Sequence, residues 1–342
     1  MEKNSKYKRV LTLSKNLFFS TIEQYLKEES IPAKYADILE QFYLGYQQAV
    51  IASGEAQEKL FLDLLDLIKQ QCLEPFLFSS YHKHLRQPFD YYQFGIDIMK
   101  PLVDLPHSTV CGLEHVKQIV TSLEKGENAI FLANHQVEAD PQVISILLEN
   151  SYPKFAEEMI FVAGERVITD PLAVPFSMGR NLLCIFSKRY IDQPPEQKMK
   201  KQLHNKRTME LMSELLSEGG KAIYVAPSGG RDRPNASGVV DIAPFDPQSI
   251  EMFYLMSERA GHPTHFYPLA LKSYALLPPP ETIQVELGEA RIAKRADIHI
   301  AFGPRIDMDH FPGSNSTDKH TRRIARAEYI WNLVRQDYAK FP

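Results

Sequence analysis

Long hydrophobic runs are missing from this 342-residue chain. No stretch approaches the roughly 18 apolar residues that a membrane span requires, so any lipid contact would be peripheral. Cysteine is scarce. Cys72, Cys111 and Cys184 are widely spaced, in no metal-ligand or redox spacing, and three is an odd number for a disulfide framework. A reducing compartment is the simpler expectation. There is no excess of positive charge: the formal net charge is −4, which argues against a general nucleic-acid binder. Internal repeats and low-complexity segments are absent, as are a G-x-S-x-G elbow and a Walker A loop. No cysteine lies beside a plausible base, so nothing points to a covalent intermediate.

What is present is ordinary globular material, 44% hydrophobic and 24% charged. The length permits one large domain, or a large one beside a small one. Residues 1–75 read as helices. Leu11, Phe18, Ile22 and Tyr25 recur at helical steps, and Pro32 suits a first turn. Tyr35, Ile38, Phe42 and Tyr46 follow, then Leu60, Leu64 and Leu67 after Gly54. Three amphipathic helices with short links form a small bundle domain over 1–75. From about residue 125 short apolar runs alternate with helical patterns. The runs are 129–133, 159–163, 183–186, 221–226, 264–271, 282–287 and 298–302; the helical stretches are 141–150, 195–218, 247–260 and 317–338. This alternation predicts an α/β domain over 76–342, a mixed and mostly parallel sheet flanked by helices. Residues 76–120 read as connecting helices packed on that sheet.

Three segments at predicted strand ends carry chemistry. Asn134-His135-Gln136-Val137-Glu138-Ala139-Asp140-Pro141 follows the first run. The ends of strands in an open α/β sheet are where ligands bind. A carboxylate at Asp140 folded back to His135 would fix the imidazole tautomer and leave its other nitrogen as a base. The blander reading makes Asp140 a helix N-cap and His135 an ordinary loop residue. A metal held by His135, Glu138 and Asp140 lacks zinc-site spacing. The second segment, Ser228-Gly229-Gly230-Arg231-Asp232-Arg233, pairs a glycine loop with two arginines whose forks match phosphate oxygens; alternatively it is a turn with solvated charges. The third, Ser187-Lys188-Arg189-Tyr190, adds two cations. If the strands run parallel, a base and four cations converge on one cleft, suited to an anionic substrate with a reactive hydroxyl. A serine hydrolase built on Ser228, His135 and Asp140 and a non-catalytic phosphate-binding module are the competing readings.

Asn134-His135-x4-Asp140-Pro141 resembles the His-x4-Asp signature of glycerolipid acyltransferases. The stretches NHQVEADP, FVAGERVITDPLAVPFSMGRNLLCIFSK, VAPSGGRDRP and APFDPQSIE resemble the soluble, plastid-type glycerol-3-phosphate 1-O-acyltransferases, over most of residues 76–305. The resemblance implies a helical bundle beside an α/β domain. It implies transfer of an acyl group from acyl-acyl carrier protein or acyl-CoA to the sn-1 hydroxyl of glycerol 3-phosphate, with no metal or other cofactor. It maps His135 and Asp140 onto the catalytic pair, and Arg231 and Arg233 onto phosphate-binding arginines, with Arg189 and Lys188 beside them. Lys188-Arg189-Tyr190 stands where those enzymes carry Lys-Lys-His, so a phenol replaces an imidazole at 190. A lysophosphatidate acyltransferase is a further alternative, disfavoured by the plastid-type stretches. Lys198, Lys200, Lys201, Lys206 and Arg207 form a basic helix face, either solvated or a docking surface for the acidic carrier protein. Residues 171–178 line an acyl channel or belong to the core. The opening residues lack a secretory or transit pattern, which suggests a bacterial cytoplasm, or a plastid stroma if the protein has been trimmed.

Overall fold

The computed structural model describes residues 16–50, 54–187, 191–280 and 287–342, without the side chains of 54–57. Leu11 and most of the run at 282–287 lie outside the described residues, as do Lys188, Arg189 and Tyr190.

Three helices open the chain: α1 (Leu17–Lys27), α2 (Ala33–Ala49) and α3 (Gly54–Leu73). Asn16 caps α1, its side chain accepting from the Phe18 N–H at 3.0 Å. The helices meet over aromatics. Phe18 stacks on Tyr43 with centroids 4.1 Å apart, and Phe61 packs edge-on against Tyr43 and Tyr46 at 4.8 and 4.9 Å. The buried residues of this bundle and one face of the sheet form a single continuous core, so the helices wall the sheet as well as packing on each other.

The connecting region holds β1 (Tyr81–His82), α4 (Tyr91–Met99), β2 (Thr109–Cys111) and α5 (Leu113–Glu124). Next come β3 (Asn128–Ala133), α6 (Asp140–Leu148), α7 (Pro153–Glu158), β4 (Ile160–Gly164), α8 (Glu165–Thr169), α9 (Val174–Met178) and β5 (Asn181–Ile185). The chain continues through α10 (Lys198–Glu218), β6 (Ala222–Val225), a small hairpin of β7 (Arg233–Pro234) and β8 (Val240–Asp241), and α11 (Pro247–Ser257). It finishes with β9 (Thr264–Lys272), β10 (His299–Phe302) and α12 (Lys319–Tyr338). The eight-stranded sheet has the order β1-β5-β4-β6-β3-β9-β10-β2. The five central strands, β5 to β9, are mutually parallel; β1 and β10 run antiparallel to their neighbours β5 and β9.

The expected mixed, mostly parallel sheet is therefore present. Its central strands are mostly apolar because both faces are covered, with polar residues such as Asn128, Asn181 and Thr264 at their starts. In β3, Phe131 joins the core under the N-terminal helices, while Ile130 and Leu132 join the core under α10, α11 and α12. The parallel arrangement puts the carboxyl ends of β3, β4, β5, β6 and β9 along one edge. The loops leaving that edge carry the site.

Candidate active site

Ala133 ends β3, and the chain turns into α6 through Asn134 to Ala139. Asp140 opens α6 but does not cap it; Ala139 is the cap residue, and Pro141 sits in the first turn. The Asp140 carboxylate, fully buried, instead folds back over the loop. It accepts from His135 Nδ1 at 2.8 Å and from the backbone N–H of Gln136 at 2.9 Å and of Val137 at 3.3 Å. Ser273, just beyond β9, donates its hydroxyl to the other oxygen at 2.6 Å. With Nδ1–H given to Asp140, Nε2 is the nitrogen left to accept a proton. Burial, the strongest single influence, pulls the His135 pKa down. The hydrogen bond and charge of Asp140, with the charge of Glu138, outweigh it, and the pKa stands above its ordinary value.

The loop is stitched in place from three sides. Asn134 donates to Asp232 at 2.7 Å and to the Leu271 carbonyl at 2.8 Å, and accepts from the Leu271 N–H at 2.8 Å. Gln136 accepts from the N–H groups of Ser273 and Tyr274 at 2.7 and 2.9 Å. It donates to Asp232 at 3.2 Å and to the Tyr338 hydroxyl on α12 at 3.1 Å. Tyr224, on β6, donates to the Asn134 carbonyl at 2.6 Å. Asp232 explains the Arg-Asp-Arg pattern. Its carboxylate turns inward to Asn134, Gln136 and the Ala243 N–H, and its own N–H bonds the His135 carbonyl at 2.7 Å. Burial pushes that carboxyl up to about 6. Arg231 and Arg233, flanking it, line the cavity in front of His135.

The two arginines differ. Arg231 donates to Glu138 and, at 2.8 and 2.9 Å, to Glu289, and its side chain is 11% exposed. Arg233 donates only to the Pro280 carbonyl among the hydrogen bonds of the described residues. Its guanidinium is held below its usual range by burial first and by the neighbouring Arg231 charge second, as expected of a cation short of counter-charge. Gly229 has φ +66°, a left-handed conformation, and a side chain there would meet no atom within 4 Å. Backbone strain rather than crowding therefore selects glycine at 229. Two backbone N–H groups beside the cavity are engaged within the loops: Gly229 N with the Ala226 carbonyl and Asp140 N with the Val137 carbonyl, both at 3.1 Å.

His135, Asp140, Arg231 and Arg233 thus meet at one cavity of about 1490 Å³. This exceeds the roughly 300–1,000 Å³ of an ordinary small-molecule site. Its polar end holds these residues with Glu138, Glu289 and Arg291. Apolar side chains also line the cavity: Leu172 and Phe176, Ile38 and Phe42 on α2, Leu64 on α3 and Met99 on α4. The stretch at 171–178 serves both expectations: Leu172 and Phe176 line the cavity while Val174 and Met178 are core.

Two other expectations change. Lys201 does not belong to an exposed basic face; it is buried, with its ammonium on Glu165 at 2.9 Å and the Gln193 carbonyl at 2.7 Å. Lys198, Lys206 and Arg207 are exposed but lie beside Asp192, Glu210 and Glu214. Ser228 donates its hydroxyl to the Gly230 carbonyl at 2.9 Å rather than to His135, which removes the geometric basis of a serine nucleophile. Among the described residues no group of three or more His, Cys, Asp or Glu is placed to hold a metal ion. No helix there is long and apolar enough to cross a membrane. Sequence reasoning missed Asn134, Gln136, Asp232 and Ser273 as supports, and Glu289, Arg291 and Arg166 altogether. Only the closeness of Asn134 and Gln136 to His135, and of Asp232 to the arginines, offered a signal.

A histidine paired with a buried carboxylate at the edge of a parallel sheet, beside arginines and a cavity with much apolar lining, fits an α/β acyltransferase. The protein-family model described as Acyltransferase matches residues 107–272, from the approach to β2 to the end of β9. Over 331 residues the chain is 38% identical to the chloroplastic glycerol-3-phosphate acyltransferase ATS12 of Cucurbita moschata, covering 95% of this chain and 71% of that protein. The chloroplastic glycerol-3-phosphate acyltransferases of Pisum sativum and Arabidopsis thaliana are 42% identical over 297 residues and 36% identical over 325. These alignments span 85% and 93% of this chain, and 65% and 71% of the two relatives. The chain belongs to the glycerol-3-phosphate acyltransferase family.

Proposed function

We propose that this enzyme moves a fatty acyl group from acyl-acyl carrier protein, or from acyl-CoA, to the sn-1 hydroxyl of glycerol 3-phosphate. The observation that carries the reading is one cavity whose lining joins the His135–Asp140 pair, Arg231 and Arg233 to apolar side chains of α2 and α3. The phosphate binds Arg233 and Arg231, with Lys188 and Arg189 assigned to the same anion by resemblance. This sets the sn-1 hydroxyl before His135 Nε2. The imidazole takes the hydroxyl proton as the oxygen attacks the thioester carbonyl. The C–S bond breaks, the new ester forms, and the thiolate takes the proton from the imidazolium. Asp140 stabilises that imidazolium and fixes its tautomer. The acyl chain lies along the apolar lining.

The exposed Lys198, Lys200, Lys206 and Arg207 on α10, of which Lys206 lines the cavity, support an acidic carrier protein as one donor beside acyl-CoA. The relatives are chloroplastic, which supports a plastid stroma and gives no support to a bacterial cytoplasm. The test is acyl transfer from labelled palmitoyl-acyl carrier protein and palmitoyl-CoA to glycerol 3-phosphate, with His135→Ala as control. Wild type should form 1-acyl-glycerol 3-phosphate, and the folded variant should be about 10²–10⁴ slower. Full activity in the variant would remove His135 as the base.

A further inference from the structure

The anion site contains an arginine that neither the signature nor the glycine loop announces. Arg291 follows the segment 281–286 and grips both carboxylates that hold Arg231. Its Nε donates to Glu138 at 3.1 Å and its Nη2 to Glu138 and, at 2.8 Å, to Glu289; Nη1 bonds the Ala290 carbonyl at 3.0 Å. Arg166, opening α8, gives Glu289 a further contact at 3.1 Å. Glu289 is 4% exposed and accepts from three guanidiniums. Most donors of Arg291 are therefore committed, whereas Arg233 gives one side-chain hydrogen bond among the described residues.

Charge decides what this arrangement does. Arg231 and Arg166 facing Glu138 and Glu289 would sum to zero, and Arg231 would be fully compensated. Phosphate would then meet one buried and one part-buried carboxylate with no net attraction from the group. Adding Arg291 leaves this set at +1, and Arg233 raises it to +2, so that Arg291 supplies the excess positive charge of the paired network itself.

We propose that Arg291 is a positioning residue for phosphate recognition. It neutralises Glu138 and Glu289, so that the two carboxylates orient Arg231 without cancelling it. The inference rests on the assignment of Arg231 and Arg233 to the phosphate. Glu138 also lies near His135 and raises its basicity, so the same network links the anion site to the base. Removing Arg291 leaves Glu138 with less compensation and strengthens its pull on the imidazolium.

The test compares Arg291→Ala, Arg291→Lys and Arg233→Ala in the full chain, measuring KM for glycerol 3-phosphate, KM for palmitoyl-CoA, kcat, and kcat/KM against pH. Arg291→Ala should raise the glycerol 3-phosphate KM about tenfold or more, the scale of a lost charged hydrogen-bond partner, and leave the donor KM unchanged. Its acid limb should move to higher pH. Arg291→Lys keeps the charge but not the fork, and should fall between wild type and Arg291→Ala. If Arg291→Ala fails to fold, the Lys variant decides the matter through the same KM and pH readings. An unchanged glycerol 3-phosphate KM in the Arg291 variants, with a raised KM in Arg233→Ala, would overturn the inference and leave the phosphate assignment standing. An unchanged KM in all three would overturn both.

Discussion

Replacing Asp140 by Asn keeps the size of the side chain and removes its charge, isolating the electrostatic part of the His135 pair. The amide can preserve much of the local geometry. With its oxygen toward His135 and the Gln136 N–H, its NH₂ faces Ser273, whose hydroxyl turns to accept, while the Val137 N–H keeps only its 3.4 Å bond to the oxygen. What is lost is the charge-assisted bond to the imidazolium that forms as the substrate hydroxyl is deprotonated. A hydrogen bond to a charged group contributes about 1.5–3 kcal/mol. At about 1.4 kcal/mol per decade this predicts a fall in kcat of roughly 10- to 150-fold. The reversed amide would hold His135 in the wrong tautomer and deepen the loss. The His135 pKa is raised in the native protein, and Asp140 is the main cause of the rise. A base must be neutral, so the acid limb of kcat/KM should lie above the ordinary histidine value and move to lower pH in Asp140→Asn. The assay is initial-rate transfer from saturating acyl donor between about pH 5 and 9, on protein with native circular dichroism. A kcat within about threefold of wild type (roughly 0.65 kcal/mol) and an unmoved acid limb would show that Asp140 does not support the reacting imidazole.

Three further outcomes are expected. Asp232 is buried and its carboxyl is raised to about 6, so the folded state binds its proton more tightly than the unfolded chain. Its contribution therefore favours folding as pH falls from about 6 towards 4 and opposes it above; relative to Asp232→Asn, wild type should gain Tm on going from pH 7 to pH 5, and a parallel pair of curves would refute this. Ile38→Trp replaces an aliphatic side chain of the cavity lining on α2 by a bulky indole and should shift donor preference to shorter acyl chains; an unchanged chain-length profile would place the acyl group elsewhere. Lys200→Glu combined with Lys206→Glu should weaken use of the carrier-protein donor at low salt and leave acyl-CoA kinetics unchanged, because exposed charges steer an acidic partner and are screened by salt; equal effects on both donors would remove α10 as the docking face.

The interior of the fold was legible because parallel strands covered on both faces read as unbroken apolar runs. The run at 129–133 lies within β3, and those at 221–226 and 264–271 bracket or nearly fill β6 and β9. The pairs and short pieces were not legible. The strands β1 and β2 and the hairpin of β7 and β8 are two or three residues long, too short to establish a period. The helices α8 and α9 are five residues each; α9 falls in the stretch read as channel or core, and α8 lies in no predicted element. Lys201 illustrates a different failure. In sequence it is one lysine among several, and only the rotation of α10 against Glu165 shows that it points inward.

Sequence alone determined that a strand runs into Asn134-His135-x4-Asp140-Pro141, that a glycine loop delivers Arg231 and Arg233 after another strand, and that helices separate them. These features are local: hydrophobic period, proline and glycine punctuation, and side-chain chemistry at fixed spacing carry them. Tertiary structure decided which loops meet. Asp232 reaches Asn134 across 98 positions and Ser273 reaches Asp140 across 133. Glu289 and Arg291 arrive from the far side of β9, with Arg291 bonding Glu138 across 153 positions. Such contacts depend on the order β5-β4-β6-β3-β9 and on the parallel register that aligns the carboxyl ends. That order is selected by how whole apolar faces are buried together, a free energy summed over the entire sheet and its helices, and no short segment of the chain contains it.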